Sequence, residues 1–494
     1  MVVIIISKLV GMFRDIILAN YFGTSNISDA YLIASSVPTL LFYFIGHSLA
    51  TAYIPMYNKV KAVDGEEKAQ DFSNNLLNIS LVLSTVIVLV LLLFPGLVVN
   101  IFAVGFDVQT AKIAARLIRI SAPSIYLMTI VYICSGYLQA NKSFLAPAAI
   151  SLPRNTAIVV SVILAASLGT DILGWGLFAA YILEFLFLLP FVIRNGYRYR
   201  PVISVRDEDI TKTVQIVTPV LIGMCVSQIN KIVDRSMAST IVEGGISALS
   251  YASIINNAVQ EVLVTGIITI LFASCSKLVA ESKHEQVKEK LENTLNSILF
   301  LLVPASIGII GLSRPIVELV LCRGEFNEKS LEMTVEALQC YTSGLLFMAV
   351  RDTLVKVFYA YKDTTTTTKT AITSIVLNIA LNIILGRLIG VKGLALSTSI
   401  STLFNCTVLY VLLRKRIGDF GLSGLLRVML KSLVGAVLMS MILKMVYPCL
   451  TNMFGGIVPL LITVFICCVF YFAFELLICN EPILNVVKRI KNRQ

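Results

Sequence analysis

Fourteen apolar stretches of roughly twenty residues punctuate this chain, at about 2–21, 30–54, 75–94, 120–140, 146–168, 174–193, 213–239, 247–274, 294–313, 337–360, 368–389, 391–413, 426–447 and 457–479. A helix needs ~20 predominantly apolar residues to cross the hydrocarbon core of a bilayer. The pattern therefore predicts an all-α polytopic membrane protein with about 14 transmembrane helices. The longest polar stretches, Lys59–Asn75, Arg194–Lys212 and Lys277–Asn293, are connectors too short to fold alone. With 57% hydrophobic and 14% charged residues over 494, no soluble domain of ordinary size remains. Pro38, Pro153, Pro219 and Gly266 interrupt spans, which membrane helices tolerate where neighbours or water satisfy the freed carbonyls.

The net charge of +11 could suggest nucleic acid as a partner. The basic residues instead fall in alternate short loops: Lys59, Lys61 and Lys68; Arg194, Arg198, Arg200 and Arg206; Lys283, Lys288 and Lys290; Arg414, Lys415 and Arg416; and the tail Lys488–Arg493. The opposite loops 22–29, 169–173, 240–246 and 448–456 hold no Lys or Arg. This is the positive-inside pattern, and with an even number of spans it places both termini in the cytoplasm. Arg314, Arg323 and Lys329 are the main basic residues on the other side. Met1 is followed by an apolar run and then Lys8, an order unlike a cleaved signal peptide, so the first span is expected to be retained.

An internal repeat appears at an offset of about 219 residues. Asp15, Ala19 and Ile27–Ser28 register with Asp234, Ala238 and Ile246–Ser247, and Gly176–Leu177 registers loosely with Gly393–Leu394. The two repeats share one membrane orientation because an even number of spans separates them. Two parallel six-helix lobes, 1–205 and 206–418, are therefore expected, with 419–494 adding two transmembrane helices and a basic cytoplasmic tail. Lobes of this kind hold substrate between them near the midplane.

Charges inside the spans say what that substrate is. A charge at the bilayer centre costs ~2.5–3.5 kcal/mol on insertion scales, so it normally faces a protein-lined cavity. The first span carries Lys8, Arg14 and Asp15, with Ser7, Gly11 and Arg14 along one helical face. The seventh carries Gln228, Lys231, Asp234 and Arg235, and the tenth Arg351, Asp352 and Lys356. A cationic interior suits an anion, and a guanidinium grips phosphate oxygens with two N–H groups. Lys8 at the membrane edge and a Lys231–Asp234 pair holding helices in register are the structural alternatives. Ser374, Asn378 and Asn382 recur every four residues, and Thr398, Thr402 and Asn405 line the next helix. They are either interhelical hydrogen bonds or, with Asp234, oxygen ligands for Na⁺. Lys112, Arg116 and Arg119 form a basic stripe that reads best as a solvated helix end.

Catalytic motifs are lacking: there is no His-Glu-x-x-His, no Gly-x-Ser-x-Gly and no phosphate-binding Gly loop. Asp207-Glu208-Asp209 has the spacing of a metal–sugar-nucleotide motif, but acids ahead of a helix are common caps. Ten cysteines with no Cys-x-x-Cys spacing read as small apolar packing residues, and two histidines cannot build a metal site.

These residues resemble the MurJ (MviN) lipid II flippases of the multidrug/oligosaccharidyl-lipid/polysaccharide exporter superfamily. Ser7-Lys8-Leu9-Val10-Gly11-Met12-Phe13-Arg14-Asp15 is similar to the family's opening Ser-Arg-x-x-Gly-x-x-Arg-Asp, and Tyr21-Phe22-Gly23 with Asp29-Ala30-Tyr31 continues it. Gly136–Ala140, Phe144–Ala148, Val233-Asp234-Arg235, Arg323-Gly324-Glu325-Phe326, Phe358–Thr364 and Gly393–Leu396 extend the resemblance along the whole chain. It implies a fourteen-span fold with a cationic cavity between lobes, turning a polyprenyl-diphosphate-linked glycan outward. Lys8 and Arg14 stand where the family places substrate-binding arginines, and Asp29 at a family aspartate near the outer gate. Asp234, Asn378, Asn382 and Thr398 match the positions of a sodium site in some members. Two family arginines are replaced, by Phe42 or Tyr43 in the second span and by Ile254 in the eighth.

The function expected is therefore a flippase, not an enzyme, moving lipid II from the inner to the outer leaflet of the bacterial cytoplasmic membrane by alternating access. Substrate contacts are expected from Lys8, Arg14, Asp29, Lys231, Arg235 and Arg351. No cofactor is required beyond coupling to Na⁺ or H⁺. Besides the glycan and the bilayer, cell-wall synthesis proteins are the partners such a role implies. A flippase for another undecaprenyl-diphosphate glycan, or a cation-coupled drug antiporter, are the rival transport readings. A membrane glycosyltransferase and a scaffold are the rivals from other classes; the missing motifs oppose the first and the buried charges the second.

Overall fold

A computed structural model describes residues 2–478 and residue 482. The described residues form helices and connecting turns, without a strand. In chain order the helices are α1 (Val2–Phe22), α2 (Asn26–Leu93), α3 (Pro95–Phe102), α4 (Val108–Ser121), α5 (Ser124–Ala140), α6 (Leu145–Ala149), α7 (Ser151–Leu168), α8 (Asp171–Arg194) and α9 (Glu208–Ile241). There follow α10 (Gly245–Leu263), α11 (Thr265–Ala280), α12 (His284–Gly311), α13 (Ser313–Leu321), α14 (Glu328–Ala360), α15 (Thr364–Ile389), α16 (Val391–Ile417), α17 (Leu422–Met453) and α18 (Val458–Leu477).

Nine of these are long and apolar enough to cross a membrane, and two bent pairs, α4 with α5 and α10 with α11, bring the number to 11 among the described residues. They coincide with eleven of the expected spans. The other three, 2–21, 30–54 and 213–239, each include side chains outside those described. The chain is an integral membrane protein of the all-α class. The connector Lys59–Asn75 is helical rather than a loop, because Lys, Glu, Ala and Gln are good helix formers. Only Gly65, at φ 88° and ψ 176°, breaks it, and it divides α2 into two arms.

The helices form two compact units, residues 1–247 with 323–327, and residues 248–322 with 328–494. The first unit thus takes in α9, and the second takes in α17 and α18. In the first unit α9 lies against α2 and α3. Its end approaches Gly105 so closely that a Cβ there would sit 2.3 Å from the Ser239 carbonyl oxygen, while the Gly105 N–H donates to Ser239 Oγ at 3.0 Å. The segment 323–327 docks on the end of α1, where the Glu325 N–H donates to the Asn20 carbonyl at 2.9 Å.

Between α8 and α9 the chain runs extended along α2, held by a ladder of side-chain amides. Asn75 both donates to the Ser204 carbonyl (2.9 Å) and accepts from the Ser204 N–H (2.7 Å). Asn74 donates to the Arg198 carbonyl at 2.9 Å and Asn78 to the Val202 carbonyl at 2.9 Å, while Tyr197 and Tyr199 donate back to Asn74 and Asn78. An extended segment without a sheet needs such partners for its backbone groups. Asp207 then caps α9 by accepting from the Asp209 and Ile210 N–H groups, the capping role that acids before a helix suggest.

In the second unit α14 and α15 each pack on α16, and α17 packs on α12 and α18. Leu291, Leu295, Leu354, Phe358, Leu409 and Leu413 belong to its core. Tyr471 of α18 donates to the Phe300 carbonyl of α12 at 2.8 Å, a buried polar contact that fixes the last helix on the unit.

Candidate substrate site in the helical interior

The expected face of α1 is present. Ser7 donates to the Ala148 carbonyl at 3.4 Å, Gly11 lies against Asn155, and Arg14 Nη1 donates to Asn155 Oδ1 at 3.1 Å. Arg14 Nε and Nη2 both donate to Oδ1 of the adjacent Asp15, at 2.9 and 2.7 Å. The carboxylate thus covers one edge of the guanidinium, and the side chain as a whole remains 30% exposed. Lys8 lies one residue from this face and is exposed.

Arg351 in the second unit repeats the arrangement. Its Nε and Nη2 donate to Asp352 Oδ1 at 2.9 and 2.7 Å, and Gln260 of α10 donates to Asp352 Oδ2 at 2.7 Å. On α9, Lys231 is exposed, while Asp234 accepts from Asn230 at 3.2 Å. Gln228 Oε1 and Arg235 Nη1 are buried without a hydrogen-bond partner among the described atoms. Ser227, expected on the same face, lies outside the described side chains.

Asp29 has a different surrounding from the one a substrate contact needs. It is 1% exposed, and its carboxylate accepts from the Gly244 N–H (3.0 Å), the Ser247 N–H (2.8 Å) and the Ser247 hydroxyl. Both oxygens cap the start of α10.

The expected sodium ligands fall in different units: Asp234 in the first, Asn378, Asn382 and Thr398 in the second. Within the second, Asn382 donates to Asn378 Oδ1 at 3.1 Å, Asn378 to Ser401 Oγ at 3.2 Å, and Thr398 to the Leu394 carbonyl at 3.1 Å. These neutral oxygens suit a hard cation by type, but they are engaged in hydrogen bonds along α15 and α16, with Asn378–Ser401 joining the two helices. No cluster of three or more His, Cys, Asp or Glu residues that could hold a metal occurs among the described residues.

Two charged residues of the interior escaped the sequence reading. Arg154 of α7 and Glu184 of α8 pair at 3.4 Å beside a cavity of about 430 Å³ whose lining includes Phe42, Tyr132 and Tyr181. The signal was present, since both are charges within apolar spans. Each stands alone in its span, whereas attention to clusters selects Arg14 and Arg235. Phe42 meets Tyr132 edge-on at 5.4 Å between ring centroids. The basic stripe of α4 is a helix end: Arg116 pairs with Asp171 at 3.1 Å and Arg119 donates to the Leu92 carbonyl at 3.2 Å, both exposed.

Guanidinium groups held by carboxylates and amides within membrane helices are an arrangement that suits a membrane transport protein for an anion. Residues 18–465 match the family model for the lipid II flippase MurJ. The chain belongs to that family. It is 26% identical over 419 residues to a probable lipid II flippase MurJ of Vibrio cholerae serotype O1, covering 82% of this chain and 80% of the relative. The lipid II flippase MurJ of Thermosipho africanus is 28% identical over 429 residues, covering 87% and 86%. Among solved structures, a lipid II flippase MurJ in an inward closed conformation superposes with a TM-score of 0.83 at 27% identity, covering 96% of this chain and 97% of that one. A multidrug resistance MATE transporter of the MOP superfamily, inward-facing, superposes at 0.72 with 15% identity over 84% of this chain and 95% of its own, and shares the fold.

Proposed function

We propose that this chain translocates lipid II from the inner to the outer leaflet of a bacterial cytoplasmic membrane, acting as a transporter and not as a catalyst. The observation that carries the reading is the family match running through nearly the whole helical chain, residues 18–465. The interior arginines support it, because a guanidinium grips phosphate oxygens with two N–H groups. Alternating access between the two repeats is the proposed mode of transport, and the loop distribution of Lys and Arg favours both termini in the cytoplasm. Na⁺ or H⁺ is the proposed coupling cation, with Asp234 as the acidic residue that would respond to it.

A second reading has one observation in its favour. The aromatic lining by Phe42, Tyr132 and Tyr181 suits the face of a sugar ring, so another undecaprenyl-diphosphate glycan fits the same architecture. Complementation separates the two. The chain is expected to restore growth to bacteria depleted of their own lipid II flippase, and to move labelled lipid II across proteoliposomes. Failure in both assays, alongside transport of a capsule-type precursor, would transfer the assignment to the second reading.

A further inference from the structure

The Arg154–Glu184 pair is not arranged as a purely structural ion pair. A buried pair offsets its desolvation only with close contacts that satisfy its donors and acceptors. Here a single ion-pair contact at 3.4 Å joins them, using one guanidinium nitrogen of a group that carries five N–H donors. The burial is lopsided: the Glu184 side chain is 3% exposed and the Arg154 side chain 32%. Both side chains line the cavity, and the guanidinium is the more exposed of the two. The Tyr181 ring lies 5.9 Å from the guanidinium, a distance at which its face supports a cation.

The rest of the lining mixes apolar and aromatic side chains, Met128, Val131, Ile150 and Phe42 among them, with the polar Thr39, Ser135 and Gln139. The apolar part lowers the local dielectric and strengthens the attraction between a fixed cation and an entering anion, and the polar part can bond to sugar hydroxyls. The volume of about 430 Å³ lies at the small end of ligand pockets, room for one sugar with its charged substituent but not for a disaccharide-peptide head group. The adjacent residue on α7 is Asn155, which accepts from Arg14. The two guanidinium groups are thus anchored at neighbouring positions of α7 within the first unit.

We propose that Arg154 binds an anionic oxygen of the lipid-linked head group in this cavity, and that Glu184 is the counter-ion holding the guanidinium in place while the cavity is empty. The inference rests on the flippase reading and adds a binding residue to it. The shared chemistry is an oxyanion, supplied either by the diphosphate or by a carboxylate of the peptide.

The test is binding by the purified full chain in nanodiscs, with intact lipid II and with the same lipid lacking its peptide. Arg154→Gln alone would strand the Glu184 carboxylate, so the informative variant is Arg154→Gln/Glu184→Gln, which removes both charges together. It is expected to keep the wild-type thermal transition and to bind intact lipid II about ten- to a hundredfold more weakly, the loss of a charge-assisted hydrogen bond. An equal loss with the peptide-free lipid assigns the diphosphate, and a loss confined to intact lipid II assigns the peptide carboxylate. Glu184→Gln alone frees the guanidinium and is expected to bind at least as tightly as wild type. Wild-type affinity of the double variant for both lipids would overturn the proposal and leave the flippase reading intact, as would a Glu184→Gln loss equal to that of the double variant. Wild-type protein that binds neither lipid would overturn the flippase reading, and this inference with it.

Discussion

Asp29 gives the sharpest test of what the interior polar groups do. Its carboxylate accepts from two N–H groups at the start of α10, at 3.0 and 2.8 Å, and from the Ser247 hydroxyl. The first N–H groups of a helix have no intrahelical acceptor, and the positive end of the helix dipole adds to their attraction for a carboxylate. Asp29→Ala leaves them without an acceptor at a site where the native residue is 1% exposed. Each buried orphan costs about 1–3 kcal/mol, and water entering the vacated space recovers part of that. The expected loss is ~3 kcal/mol. Asp29→Asn keeps one acceptor oxygen and turns an NH₂ toward a donor, so about half the loss is expected. The assay is reversible unfolding of the purified protein in mixed micelles, run as a double-mutant cycle with Ser247→Ala. Ser247→Ala should cost ~1 kcal/mol in the wild-type background and close to nothing beside Asp29→Ala, because neighbours sharing a bond are not additive. An Asp29→Ala protein within ~0.5 kcal/mol of wild type, or fully additive single effects, would refute the capping argument.

Three further outcomes are expected. Arg14→Ala removes the partner of Asp15 and Asn155 and should abolish lipid II transport in proteoliposomes while the protein still inserts; Arg14→Lys keeps the charge but not the fork and should retain partial transport, and full transport by Arg14→Ala would remove Arg14 from the site. Asn75→Ala breaks both reciprocal bonds to Ser204, about 2 kcal/mol by the usual scale of such bonds, and should speed trypsin cleavage at Arg198 and Arg206 roughly tenfold or more; an unchanged digestion rate would mean the linker is held by other contacts. Asp234→Asn should abolish any sodium-dependent thermal shift of the purified protein, and an equal sodium response in both proteins would leave Asp234 only its contacts along α9.

The spans were legible because bilayer thickness imposes a length that sequence cannot hide. Eleven expected stretches reappear as helices or bent helix pairs with the required length and composition. The connectors were less legible, since the polar sequence Lys59–Asn75 suits a cytoplasmic helix as well as a loop. Asn74 and Asn75 at its end, with Asn78 one turn on, could equally have faced another helix, and nothing local reveals that they bind an extended segment some 120 residues away. The Ser7–Gly11–Arg14 face followed from helical periodicity, but its partner Asn155 lies 141 residues further on. The blocks around Gly23 and Gly324 carried family resemblance but no structural role that the sequence revealed. In the structure Gly324, at φ 57°, packs so tightly on Asn20 that a Cβ would sit 2.2 Å from its carbonyl oxygen, so at least that glycine serves close docking.

The adjacent Arg–Asp pairs show how a cationic interior can be stable without being neutralised. In Arg14–Asp15 and in Arg351–Asp352 the same two guanidinium nitrogens fold onto one carboxylate oxygen, at 2.9 and 2.7 Å in each case. Two charges on neighbouring residues enter the membrane as one dipole, which lowers the cost that either would carry alone. The geometry also leaves Nη1 out of the pair. In the first unit Nη1 is held by the neutral Asn155, which can yield it to a stronger acceptor without stranding a charge. A phosphate oxygen, as an anion, is such an acceptor, and it would compete with an amide oxygen rather than with a carboxylate. The sequence order Arg-Asp therefore eases insertion of the guanidinium and, in Arg14, leaves Nη1 outside the ion pair.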